Sequence, residues 1–295
     1  MKKIEKKDID QKVFDLYDAY AHNKMDRKEF IEKLSLYAVG GLTISSLLSF
    51  VLPNYENTIQ VAAESQELHT ETIEYESPKG GGKIKAQLSR PKGATGKLPG
   101  IVVVHENRGL NPHIADVARR GALAGFITIA PDALSPLGGY PGNDDDGRAM
   151  QRKRDRNEML EDFIAAFEYL RNHKECTGHV GVVGFCFGGW ISNMMAVKLK
   201  DLKAAVPFYG SQPPLELVPD INAPLLLHYA ELDERVNAGW PAYEKALNQY
   251  DKEYIAYIYQ NTNHGFHNDS TPRYDEAAAK LAWSRTIEFF KEELA

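Results

Sequence analysis

From Glu71 onward the chain alternates between short apolar runs and longer segments whose apolar residues recur at helical spacing. The short runs predict strands at Thr72–Tyr75, Lys83–Leu88, Ile101–His105, Phe126–Ala130, His179–Val183, Ala204–Phe208, Leu225–Tyr229 and Ile255–Tyr259. The longer segments predict helices at Ile114–Ala124, Arg152–Asn172, Gly188–Lys198, Ala238–Asn248 and Tyr274–Glu293. Gly80-Gly81-Gly82 makes the first connection a hairpin turn. The later strands are nearly continuous apolar runs, as in Ile101-Val102-Val103-Val104, so both of their faces must be covered. Strands and helices in alternation predict an α/β domain with a mostly parallel central sheet and helices on both faces.

The first 70 residues follow a different pattern. Apolar residues at Val13, Phe14, Leu16, Tyr17 and Tyr20 predict a helix over Gln11–Ala21. Asp26 followed by Glu29 predicts the capped start of a second helix, running to about Ala38. Leu34 to Tyr55 carries no charge, which raises a membrane anchor or an export signal as alternatives, with Val61-Ala62-Ala63 as a cleavage site. Membrane contact through residues 34–55 is disfavoured by Ser35, Gly40, Gly41, Thr43, Ser45, Ser46 and Ser49 within the stretch and by Pro53 near its end. The expectation is therefore an N-terminal helical extension, residues 1–70, followed by the α/β domain, residues 71–295.

Composition narrows the function. The 295 residues, 43% of them hydrophobic, suffice for one large α/β core. A net charge of −6 and a pI near 5.9 argue against nucleic acid as a partner. The two cysteines, Cys176 and Cys186, flank one predicted strand and are held too far apart to pair. A free thiol favours a reducing compartment, so the cytoplasm is the expected location. No metal-binding spacing, Walker A sequence or dinucleotide fingerprint is present, so neither a metal nor another cofactor is expected. The acidic run Asn143 to Asp146 beside Pro141-Gly142 predicts a solvated loop. A homo-oligomer is compatible with all of this.

The chemistry centres on Gly184-Phe185-Cys186-Phe187-Gly188-Gly189. A lone cysteine is ordinarily core filler. This one lies between a predicted strand and a predicted helix with glycines on either side, the pattern of an α/β-hydrolase nucleophile elbow. Asp233 follows the seventh strand and His264 the eighth. The order nucleophile, acid, base is that of α/β-hydrolases, and each residue falls just past the C-terminal end of a strand, where sites assemble in open α/β sheets.

With Gly184–Gly189, Asp233, His264-Gly265-Phe266 and Ile101–Leu110, the chain resembles the dienelactone hydrolase (carboxymethylenebutenolidase-like) family over about Glu71 to Ala295. The resemblance implies an α/β-hydrolase fold and hydrolysis of a small-molecule ester or lactone by a Cys186–His264–Asp233 triad. It also implies that Glu106 contacts the thiol and couples its ionisation to substrate binding. The oxyanion donors it implies are the backbone N–H groups of Phe187 and Asn107. Family members hold a substrate carboxylate with arginines, one of them a few residues after the histidine. Here no arginine follows His264 until Arg273. Arg273, His105 and His267 are the candidates for substrate contact, and the cluster Arg148, Arg152, Lys153, Arg154 and Arg156 reads mostly as a solvated helix face. Two other classes compete: a non-enzymatic receptor or scaffold with a relict triad, and a peptidase or thiol-redox protein. The second lacks a resolving Cys-x-x-Cys.

Overall fold

The computed structural model describes residues 9–22, 24–56 and 58–295. Eight strands form one sheet: β1 (Leu68–Ser77), β2 (Gly82–Pro91), β3 (Leu98–Val104), β4 (Ile127–Pro131), β5 (Cys176–Phe185), β6 (Ala204–Phe208), β7 (Leu225–Ala230) and β8 (Tyr254–Tyr259). Their order across the sheet is β1-β2-β4-β3-β5-β6-β7-β8. β1, β2 and β4 pair antiparallel, and every other pairing is parallel. β1 and β2 form the expected hairpin, in register from Leu68 opposite Pro91 to Ser77 opposite Gly82.

Successive side chains of a strand point to opposite faces, so a continuous apolar run feeds two cores. β3 does this. Val102 and Val104 pack with Phe163, Phe167 and Ile191 on one face, and Ile101 and Val103 pack with Ile114, Val117 and Phe290 on the other. The first face is covered by α6 (Arg156–Arg171), α7 (Phe187–Lys198) and α9 (Trp240–Gln249), the second by α4 (Pro112–Leu123) and α10 (Glu276–Glu293). The α/β reading of the sequence holds at each of the eight expected strands.

Helix boundaries differ where caps decide them. Asp155 accepts from the N–H groups of Asn157 and Glu158, so α6 begins at Arg156 and not at Arg152. Asn143 to Asp146 is not a solvated loop. Asn143 caps α5 (Asp144–Gln151), and the three aspartates lie in its first turn, where the helix dipole favours negative charge. Asp144 is tied in further, accepting from Arg108 at 2.7 Å and from the hydroxyls of Tyr55 at 2.8 Å and Tyr140 at 2.9 Å.

The early chain forms α1 (Gln11–Ala21), α2 (Arg27–Ser35) and α3 (Ile44–Val51). Asp26 caps α2 at Glu29 N–H, as the sequence predicts, but the helix stops at Ser35. α3 arises inside the uncharged stretch, opened by a capping box between Thr43 and Ser46. Val13, Phe14, Tyr17, Tyr20, Phe30, Leu34, Leu47 and Val51 close a third, separate core, in which Tyr20 stacks on Phe30 at 4.5 Å. Among the described residues no helix is long and apolar enough to cross a membrane.

These helices dock on the α/β domain beside the C-terminal ends of the parallel strands. Arg148 lies over the Tyr20 ring at 3.8 Å and donates to the Tyr20 carbonyl at 3.0 Å. Asn107 Nδ2 donates to the Ala21 carbonyl at 2.6 Å, and Arg27 pairs with Asp145 at 2.7 Å. Further along, Asn54 N–H bonds Ser270, while Asp116, fully buried, accepts from Gln60 and Val61 N–H.

Candidate active site

Cys186 sits between β5 and α7 with φ 58° and ψ −109°, in left-handed territory that a non-glycine residue adopts only when its surroundings impose it. The neighbouring glycines permit the turn. A Cβ on Gly184 would lie 2.0 Å from the Gly188 carbonyl oxygen, and one on Gly188 would lie 2.4 Å from the Val104 carbonyl oxygen. The strand, the turn and the first turn of α7 thus approach closer than any side chain allows. Sγ is left above the N-terminus of α7, where the helix dipole favours an anion.

Asp233 follows β7 and His264 follows β8. His264 Nδ1 lies 2.5 Å from Asp233 Oδ2, and Asp233 Oδ1 also accepts from Val236 N–H at 3.2 Å. His264 Nε2 is buried without a hydrogen-bond partner among the described residues. A second imidazole is present that sequence reasoning did not find. His22, the residue that ends α1, places Nε2 3.1 Å from Cys186 Sγ, and its ring meets the His264 ring edge-on at 4.8 Å. Asp18 and Arg235 complete the cluster: the Asp18 carbonyl faces His22 Nδ1 at 2.8 Å, and Arg235 Nη2 lies 3.2 Å from His22 Nε2 and 3.3 Å from His264 Nδ1.

The electrostatics follow from these contacts. Burial alone would raise the Cys186 thiol pKa, but the positive charges of His22 and His264 and the hydrogen bond from His22 outweigh it and bring the thiol to about 5. Burial would lower the His264 pKa, but Asp233, Asp18 and the thiol raise it to about 10. The resting pair is therefore thiolate and imidazolium between roughly these two values. It gains a proton on sulfur below the lower one and loses the imidazolium proton above the upper one.

A cavity of about 390 Å³ opens onto Sγ, lined by His22, Lys24, Asn107, Arg156, Cys186, Phe187, Trp190, Tyr209, Ser211, Arg235 and His264. Its charged groups, apart from the thiol, are cations. Arg156 lies over the Trp190 ring at 3.4 Å. Arg156 is the first residue of α6, and so leaves the basic cluster's solvated face for the cavity wall. Arg235 stands two residues past Asp233, within reach of sequence reasoning. His22 and Asp18 carry no pattern that marks them, because their partner Cys186 lies 164 residues away from His22.

The other predicted residues are placed as follows. Phe187 and Asn107 both line the cavity. Glu106 is buried, and its carboxylate accepts from Asn268 Nδ2 at 2.8 Å. Burial would raise its pKa, but Arg108, His113, Arg273 and His264 hold it below the ordinary glutamate value. His105 is enclosed behind the site, with Nδ1 against the Glu106 carbonyl and Nε2 accepting from Ala133 N–H. His267 is buried against Phe185, its rings 5.0 Å apart, and near Trp283. Arg273 lies 3.5 Å from Asp18, with its guanidinium 4.9 Å from the Tyr17 ring centre, and lines a neighbouring cleft rather than the thiol cavity. Among the described residues, His22, Cys186 and His264 each bring one donor atom within 4.8 Å of the others.

A family model described as "Dienelactone hydrolase family" matches residues 84–294. The chain belongs to the dienelactone hydrolase family. A second model, described as "YqhI-like", matches residues 1–40 and so includes α1 and His22. A protein of Escherichia coli O157:H7 named "Putative carboxymethylenebutenolidase" is 30% identical over 230 residues, 73% of this chain and 84% of its own. An E. coli K12 protein named "Putative hydrolase fragment YghX" is 51% identical over 114 residues, 39% of this chain and 97% of its own. A solved structure titled as a "Putative Dienelactone Hydrolase" from Klebsiella pneumoniae subsp. pneumoniae MGH 78578 superposes with a TM-score of 0.67 at 27% identity, covering 76% of this chain and 99% of that one. This dienelactone hydrolase family member is thus an α/β-hydrolase-fold enzyme of the type that hydrolyses lactones or esters.

Proposed function

We propose that the protein hydrolyses anionic carboxylic esters or lactones through an acyl-cysteine intermediate. Cys186 is the nucleophile, His264 the base and later the acid, and Asp233 the residue that fixes the imidazole. The observation that carries this is the strained thiol above α7 beside an Asp233-supported His264, in a cavity with cationic walls. The thiolate attacks the carbonyl carbon, and the oxyanion forms facing the N–H groups of Phe187 and Asn107. On collapse the C–O bond breaks and the leaving oxygen takes the proton from imidazolium Nε2. A water then attacks the thioester, its proton passes to Nε2, and the C–S bond breaks to release the acid.

The anionic character of the substrate rests on Lys24, Arg156 and Arg235, with no carboxylate among the described residues of that cavity wall. Arg156, stacked on Trp190, presents a planar fork suited to a carboxylate. The test is a panel of lactones and aryl esters with and without a carboxylate, assayed with wild type and Arg156→Ala. Carboxylated substrates should turn over best in wild type, and Arg156→Ala should raise their KM by about tenfold or more while leaving neutral esters little changed, the loss of one charge-assisted contact. If no ester or lactone is hydrolysed above the rate of Cys186→Ala, the reading is wrong.

Glu106 takes a part in the same reading. We propose that its buried negative charge opposes the thiolate; Tyr209, whose pKa is raised by burial and then by Glu106 and Cys186, is within the field of both. Glu106→Gln should shift the midpoint of Cys186 alkylation by iodoacetamide to lower pH. Coincident profiles would leave Glu106 with only the task of holding Asn268.

A further inference from the structure

The known chemistry needs one imidazole on the thiol, and this chain brings two. The second comes from the N-terminal helices and has an acid of its own. His22 Nε2 is 3.1 Å from Sγ, while Nδ1 is held by the Asp18 carbonyl at 2.8 Å and faces the Asp18 carboxylate at 3.2 Å. The sequence Asp18–His22–Cys186 repeats the connectivity of Asp233–His264–Cys186, approaching the sulfur from another side. The two rings stand perpendicular, at 86°, so both can direct a nitrogen toward Sγ without clashing. The placement is enforced by contacts to the two residues just before His22. Asn107, from the loop after β3, grips the Ala21 carbonyl, and Arg148 grips that of Tyr20.

We propose that the Asp18–His22 pair is a second acid–imidazole dyad of the active site, which takes the proton from Cys186 and holds the thiolate before substrate arrives, while His264 is kept for turnover. The inference deepens the hydrolase reading above and rests on Cys186 being its nucleophile. The proton balance is simple. The S–H bond breaks, the proton moves to His22 Nε2, and the Nδ1–H remains held by Asp18. Once Cys186 is acylated, the sulfur no longer needs a counter-charge, and His22 releases its proton to solvent, while the leaving oxygen takes its proton from His264. His22 regains a proton from solvent when the thiolate returns.

The groups that face the sulfur come from several elements. Those of positive or potentially positive charge are His22 at the end of α1, Lys24 just beyond it, His264 after β8, Arg156 in α6 and Arg235 in α8 (Glu234–Asn237). Tyr209 after β6 is neutral there, and Asp18 and Asp233 stand one layer back. Arg156 and Arg235 stay charged across the range of interest, so a pH-dependent difference between wild type and a His22 variant reports the imidazole itself. Burial would raise the Asp18 pKa, but His264, His22 and Arg273 hold its carboxyl far below the ordinary range, so it is anionic whenever His22 is charged.

The decisive measurement is the pH profile of Cys186 alkylation by iodoacetamide in the full chain, without substrate, for wild type, His22→Gln and Asp18→Asn. His22→Gln keeps a hydrogen bond to sulfur of similar length and removes only the titrating charge. It should move the midpoint upward by at least about one pH unit, and Asp18→Asn should move it in the same direction by less. Hydrolysis by His22→Gln should then fall more at pH 6 than at pH 8, where hydroxide supplies the thiolate in its place. A midpoint unchanged in His22→Gln would overturn the proposal. So would a faster hydrolysis at every pH, which would make the extension a cover over the site. Zinc retained one per chain by the wild type, blocking alkylation and lost with His22→Gln, would assign the cluster to metal instead. Because alkylation needs no substrate, an expected profile in a protein that hydrolyses nothing would refute the hydrolase reading alone.

Discussion

Cys186→Ala is expected to lose hydrolysis completely, by about 10⁴-fold or more in kcat, while melting at nearly the wild-type temperature. The first half follows from the absence of any other nucleophile at the elbow, since Cys176 is buried at the far end of the same strand. The second half follows from where the side chain stands. Cys186 is a turn residue whose sulfur faces a cavity, so its removal leaves no void in a packed layer. The variant even exchanges one residue at positive φ for another of similar steric cost. Steady-state kinetics and a thermal melt measure the two halves. Residual activity above about one part in 10³ would place the nucleophile elsewhere. A large drop in melting temperature would mean that the thiol is a structural group.

The second large effect belongs to His264. His264→Ala should lower kcat by about 10³–10⁵-fold, and Asp233→Asn by less, since the acid only orients the ring and supports its charge. The two variants separate turnover from thiol ionisation. With His264 removed, His22 still faces Sγ at 3.1 Å, so alkylation at neutral pH should stay fast while hydrolysis fails. Single-turnover experiments should then show acyl-enzyme accumulating, because deacylation lacks its base. If alkylation and hydrolysis fall together by the same factor, His264 is the sole partner of the thiol.

Much of this was legible in the sequence because the informative residues are local to elements. Gly184, Cys186 and Gly188 announce a turn by their own steric needs. Asp233 and His264 are marked by the strands that end just before them. The doubly apolar run at Ile101–Val104 says that two faces are covered, and two cores meet there. What stayed hidden has one physical cause. Asp18 and His22 sit on an ordinary amphipathic helix whose burial pattern explains Val13, Tyr17 and Tyr20 and leaves the polar residues looking solvated. Only docking turns them toward the thiol. The same holds for Arg156, whose helical face looks like surface until Trp190 is seen beneath it. Asn143 to Asp146 failed for a different reason: three consecutive charges suggest water, yet an asparagine cap followed by aspartates is equally a helix start.

The docking of the N-terminal helices has a consequence for how the protein is made. His22 leaves the ribosome 164 residues before Cys186, and the loop holding His264 follows 78 residues later still. At about 5–20 residues per second, translation needs roughly 10–50 s to carry the chain from one histidine to the other. Early in that interval α1 has its own small core but none of the partners that fix His22: Asn107 and Arg148 follow 85 and 126 residues after it, and Asn263, which bonds Gln11, comes only just before His264. The N-terminal helices are thus completed by segments made later, and the thiol meets His22's imidazole only after synthesis has passed the segments that clamp it.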